Sequence, residues 1–233
     1  MSNVLDIIKR AGVEVIWREN NTGVKGIADR LDFEDFNSSN VNTVCDIECR
    51  DEGMLSNLDG FIKAREGKDI LIVLHSIGSH GPAYYKRYPK AFEVFTPVCQ
   101  TNQLNECSDD EINNAYDNSI IYTDYFLSKA ISLLKNSSGK HAAALLYVSD
   151  HGESLGENGI YLHGLPYMLA PSEQIQVPAI LWLNEAMSEV QDVDYVKEKS
   201  DNLLSHDNLS HTLLGLMGVE TKVYDSSLDI MAK

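Results

Sequence analysis

Hydrophobic positions along the 233 residues recur at two periods. Val4, Leu5, Ile7 and Ile8 follow Asn3 at helical spacing, Gly12 closes that segment, and residues 13–18 read as a strand. Between residues 51 and 66 apolar positions return at the helical period, and residues 69–75 (DILIVLH) form a nearly continuous apolar run. Such runs suit strands buried on both faces of a parallel sheet. Ser108 with Glu111 spells a capping box at the head of a long helix through Tyr116, Ile120, Tyr125, Leu127 and Leu133. Residues 142–148 and 178–183 are further strand-like runs, and residues 209–217, closed by Gly218, form a last amphipathic helix. Alternating helices and strands with no internal repeat predict an α/β fold in one domain, a three-layer α/β/α sandwich on a mostly parallel sheet. Its ligand sites are expected at the carboxyl ends of the strands.

Composition narrows the choice of partners. Acidic residues outnumber basic ones 35 to 19, a formal charge of -16, which excludes nucleic-acid binding by the surface as a whole and an electrostatic hold on an anionic membrane. The longest apolar stretches fall short of the roughly 18–20 residues that span a bilayer, so a soluble chain is expected. The opening residues, MSNVLDIIKR, carry no secretory or other targeting signal.

Two apolar runs lead directly into polar loops that carry histidine, ILIVLHSIGSHGP at 70–82 and LLYVSDHGESLGENGIYLHG at 145–164. Asp150 and His151 emerge together after the second run, and Gly152 lets the chain turn. One hard oxygen and one borderline nitrogen suit zinc or manganese; the alternative is a turn that Asp150 caps while His151 packs. His163 lies across a glycine-rich loop long enough to return to the same cavity, and His80 in S-H-G-P is placed likewise. Grouped, these side chains could bind a metal and an anion together, because neutral imidazole ligates and protonated imidazole pairs with phosphate. Separately they are surface histidines, as His141 reads. Lys25 could hold a phosphate oxygen beside loop amides or be simply solvated. Glu153 and Glu157 receive no role in so acidic a chain. Cysteines 45 and 49, and 99 and 107, form two near pairs that fit local disulfides, reduced thiols or a shared zinc site; neither spacing is the tight C-x-x-C.

The runs VLDIIKRAGVEVIWRENN, LHSIGSHGPAYYKRYPKAFEVFTPVC, NAYDNSIIYTDYFL, LLYVSDHGESLGENGIYLHGLP and SHDNLSHTLLGL closely resemble the periplasmic catalytic domain of lipid A phosphoethanolamine transferases, including the mobile colistin-resistance enzymes. That resemblance implies an alkaline phosphatase and sulfatase-like fold. It implies zinc held by Asp150 and His151, a phosphoethanolamine pocket lined by Asn21, Lys25, His80 and His163, and disulfides Cys45–Cys49 and Cys99–Cys107. It further implies a ping-pong reaction in which a zinc-activated threonine takes phosphoethanolamine from phosphatidylethanolamine and passes it to a lipid A phosphate, at the periplasmic face of the bacterial inner membrane where the parent enzyme is anchored. In the family, the transmembrane helices, a zinc-ligating glutamate and the nucleophilic threonine precede the segment matching residues 4–15. No Thr or Ser of the matched region takes the nucleophile's place, so an amino-terminally truncated domain that binds zinc weakly and transfers little by itself is expected. The alternatives are a phosphate- or sulfate-ester hydrolase of the same fold and a non-catalytic fragment that binds metal or headgroups.

Overall fold

A computed structural model describes residues 2–137, 139 and 141–233. The chain runs α1 (Val4–Arg10), β1 (Glu14–Glu19), β2 (Asp32–Asp35), α2 (Leu58–Lys63), β3 (Ile70–His75) and the long α3 (Asp109–Ser137). There follow β4 (Ala144–Val148), β5 (Ser154–Leu155), β6 (Tyr161–Leu162), α4 (Ser172–Ile175), β7 (Ala179–Leu183), α5 (Glu185–Val190), α6 (Val193–Lys199) and α7 (Asp207–Leu216).

β1 is the centre of a parallel sheet in the order β2-β1-β3, with Glu14 opposite Ile70 and Glu19 opposite His75. Leu71 and Val73 of β3 pack with Val15 and Trp17 of β1 against Leu5 and Ile8 of α1 and Leu214 of α7. Leu74 points the other way, into a cluster of Phe36, Met54, Phe126 and Leu127 that Leu145 and Tyr147 of β4 also join. The period-two alternation of β3 thus feeds two helical layers, and α3 carries the ends of both β3 and β4. The capping box forms as read, with Ser108 N donating to Glu111 Oε2 at 2.9 Å. Both disulfides that the resemblance implied, Cys45–Cys49 and Cys99–Cys107, are present.

Two segments differ from expectation. The periodicity at 51–66 predicts one helix, but a 3₁₀ turn at Asp51–Leu55 and α2 flank Asn57, whose left-handed φ of +54° breaks the helix. The strand predicted at 178–183 forms, yet β7 lies antiparallel to β4, with Ala144 opposite Leu183 and Val148 opposite Ala179. Between them stand only the β5–β6 hairpin and the single-turn α4. No helix there is long enough to return the chain to the start of the sheet, which a parallel connection needs.

Five of the six β1 residues are buried, whereas every residue of the more apolar β3 and of β4 keeps partial exposure. Among the described residues each of those two strands is hydrogen-bonded along one edge only.

At the start of the chain, Asn3 and Asp6 cap α1 reciprocally, and Asp6 also pairs with Arg30 at 2.6 Å. The hydrogen bond from Arg30 is the main reason that the Asp6 pKa falls from 3.8 to about 2. A depressed carboxylate pKa contributes stability above the unfolded value and loses it as pH falls through the folded one. Asp6→Asn should therefore flatten the acid dependence of the urea midpoint between pH 3.8 and about 2. An unaltered slope there would show that the pair is not coupled to folding.

Candidate functional site

The carboxyl ends of β3 and β4 meet at the site. After His75 the chain turns through residues 76–81 and delivers His80; after Val148 it delivers Ser149, Asp150 and His151; the β5–β6 hairpin returns His163. The His151 and His163 rings stack with centroids 3.9 Å apart, and His80 stands edge-on to them at 5.8 and 5.0 Å. One nitrogen from each lies within 4.8 Å of the others.

The partners of these rings decide which nitrogen faces inward. His80 Nδ1 lies 2.8 Å from the Gly81 carbonyl and His151 Nδ1 lies 3.0 Å from the Gly152 carbonyl. A carbonyl only accepts, so each Nδ1 carries the proton, and in the neutral ring Nε2 keeps the free lone pair. His163 Nδ1 faces the Glu153 carboxylate at 3.2 Å, with the same consequence. Asp150 adds an oxygen 3.8 Å from His151 Nε2 on a largely exposed side chain. Three imidazole nitrogens and one carboxylate make a borderline donor set that fits zinc.

Glu153, given no role by sequence, is central. Its side chain is 4% exposed, and Oε1 accepts from both Gly81 N, at 3.0 Å, and His163 Nδ1. One carboxylate thus fixes the loop of His80 and the ring of His163 together. Burial, aided by the Glu153 charge, pushes the neighbouring Tyr84 phenol well above its ordinary pKa. The available signal was its place directly after D-H-G, which composition could not separate from the solvated Glu157.

Asp51 supports the other loop. Buried, it accepts from Asn20 Nδ2 at 2.7 Å and from the Ile77 and Gly78 amides at 3.0 Å each, while desolvation pushes its pKa upward. Asn21 comes to the end of β3, its amide donating to Glu19 Oε1 at 2.8 Å and its side chain reaching the Ser76 carbonyl at 3.5 Å. Lys25 is exposed at φ +45° and has no ion-pair partner among the described residues. The structure therefore groups His80, His151 and His163, sets Asp150 beside His151 alone and Asn21 beside their loop, and leaves Lys25 without a contact to them.

A family model described as Sulfatase matches residues 1–219. The soluble domain of lipooligosaccharide phosphoethanolamine transferase A from Neisseria meningitidis superposes with a TM-score of 0.93 at 42% identity, covering 99% of this chain and 70% of that one. The chain belongs to the sulfatase family, among its phosphoethanolamine transferases. Phosphoethanolamine transferase EptA of Escherichia coli K12 is 49% identical over 232 residues, 98% of this chain and 42% of that protein. Phosphatidylethanolamine transferase Mcr-1 of Escherichia coli is 46% identical over 224 residues, 93% and 40% respectively. This chain thus spans about two fifths of the length of these relatives. Its family fold is the α/β architecture expected, and no helix of the described residues is long and apolar enough to cross a membrane.

Proposed function

We propose that this chain is the carboxy-terminal portion of one sulfatase-like catalytic domain, working in a phosphoethanolamine transferase that moves the group from phosphatidylethanolamine to a lipid A phosphate at the periplasmic face of the inner membrane. The observation that carries this is the convergence of one nitrogen from each of three histidines within 4.8 Å, with Asp150 beside His151, in a chain 46–49% identical to two named transferases of that group. Asp150 and His151 are the zinc ligands in this reading. Zinc bound there would polarise a phosphoryl oxygen and lower the pKa of the attacking hydroxyl. His80 and His163 stand beside His151, where protonated imidazoles would donate to phosphoryl oxygens and offset the charge that develops in transfer. Asn21 would hold a further oxygen from the end of β1, with Lys25 closing from its exposed loop.

The partly exposed strands β3 and β4, each paired along one edge only among the described residues, fit a domain whose sheet is completed by polypeptide from outside these 233 residues, which would also supply the nucleophile. The test is a chimera in which this chain replaces the matching 232 residues of the Escherichia coli K12 EptA. Phosphoethanolamine should appear on lipid A in cells carrying the chimera and vanish with His151→Ala. Expressed chimera that only hydrolyses phosphatidylethanolamine, or that leaves lipid A unmodified, would overturn the reading.

A further inference from the structure

The loop that leaves the site is apolar and exposed. Residues 164–171, Gly-Leu-Pro-Tyr-Met-Leu-Ala-Pro, carry no charge in a chain of net charge -16. Tyr167, Met168 and Leu169 are 79%, 95% and 71% exposed. Both ends of the loop are fixed to the site. His163, stacked on His151, precedes it, and Gly152 N donates to the Gln174 carbonyl at 2.9 Å just beyond it. A second tip stands beside the same strand end. Leu203, 93% exposed, and Leu204 precede His206, whose Nε2 lies 2.8 Å from the Ser149 carbonyl. Residues 202–206 are likewise free of acidic and basic side chains other than that histidine.

We infer that these two tips form a lipid-docking rim: Tyr167, Met168, Leu169 and Leu203 enter the headgroup and upper acyl region of a phospholipid bilayer and hold the histidine cluster at headgroup level. The inference rests on the lipid-headgroup reading of the site. Charge supports a bilayer as occupant, because a protein of net charge -16 meets least repulsion from anionic headgroups through a surface without acidic side chains, and neither tip carries one. Tyrosine beside methionine and leucine has the amphipathic make-up of side chains that settle at a membrane interface. The hold is apolar and consequently insensitive to salt, unlike that of a polybasic patch.

The experiment is flotation of the full 233-residue chain with vesicles of phosphatidylethanolamine and phosphatidylglycerol, and of phosphatidylcholine alone, at low and high salt. Association with both compositions, unchanged by salt, is expected. Met168→Asp and Leu203→Asp should each lower the partition coefficient about tenfold. Val190→Asp is the control: Val190 is 69% exposed on α5, which starts where Leu183 pairs with Ala144, at the end of the sheet opposite Asp150. Met168→Trp should gain emission quenched by brominated lipid. Absence of association, loss of it in salt, or an equal loss in Val190→Asp would overturn the rim, and would mean that other polypeptide covers these side chains or that binding is non-specific. His151→Ala should abolish zinc binding without changing flotation, so failure of the site reading and failure of the rim are separately visible.

Discussion

Gly152→Ala is expected to destabilise the fold by about 3 kcal/mol and to dismantle the histidine cluster. A β-carbon at this position would lie 2.0 Å from the Glu173 carbonyl oxygen and 3.1 Å from its carbon. Those are backbone atoms, so no rotamer change relieves the clash. The Gly152 amide also donates to the Gln174 carbonyl, which docks α4 against the D-H-G turn. Relief requires the two segments to part, and the His151 ring goes with the first of them. The check is urea denaturation together with zinc titration of the variant. A midpoint shift of less than about 1 kcal/mol, with zinc affinity retained, would show that the close approach is not needed. Gly53→Ala is the comparison inside the fold: its β-carbon would meet the buried Asn42 side chain at 1.8 Å, so it should cost about 2 kcal/mol while leaving zinc affinity unaltered.

Elements with a strong local signal were legible in the sequence. The Asn3 and Ser108 caps, the apolar runs of β1, β3 and β4, and Gly218 behind α7 all declare themselves within a few residues. What escaped depends on partners distant in sequence. β2 is four residues with only Phe33 apolar, and its pairing with β1 makes it a strand. The left-handed Asn57 interrupts a hydrophobic period that otherwise continues, and the antiparallel set of β7 follows from what lies between strands. The site divides in the same way. Asp150, His151 and His163 share one run, and His80 ends another, so their types and strand-end positions pointed to metal and phosphate chemistry. Glu153 and Asp51 act by being buried beneath those loops, and burial of one carboxylate among 35 acidic residues has no signature in composition.

Glu153→Ala should lower the affinity of the site for inorganic phosphate about tenfold, because His163 loses the carboxylate that orients it toward a phosphoryl oxygen, and cost the fold about 2 kcal/mol by stranding the Gly81 amide. Without Oε1 the His163 ring has no acceptor on Nδ1, so it is free to rotate or to adopt the tautomer whose Nε2 carries the proton. The His80 loop loses its tie to the same atom. Glu153→Gln separates the two effects. Its amide oxygen can accept from both Gly81 N and His163 Nδ1, so stability should stay within about 1 kcal/mol of the parent. The lost negative charge weakens the hold of the His163 ring on a phosphoryl oxygen, and phosphate affinity should fall between that of the parent and that of Glu153→Ala. Titration calorimetry gives the affinities, and the His163 Nδ1 proton resonance reports the tautomer, a readout that a purely structural role would not move. Equal affinities for Glu153→Ala and the parent would remove Glu153 from the site, and an unstable Glu153→Gln would assign it to the fold alone.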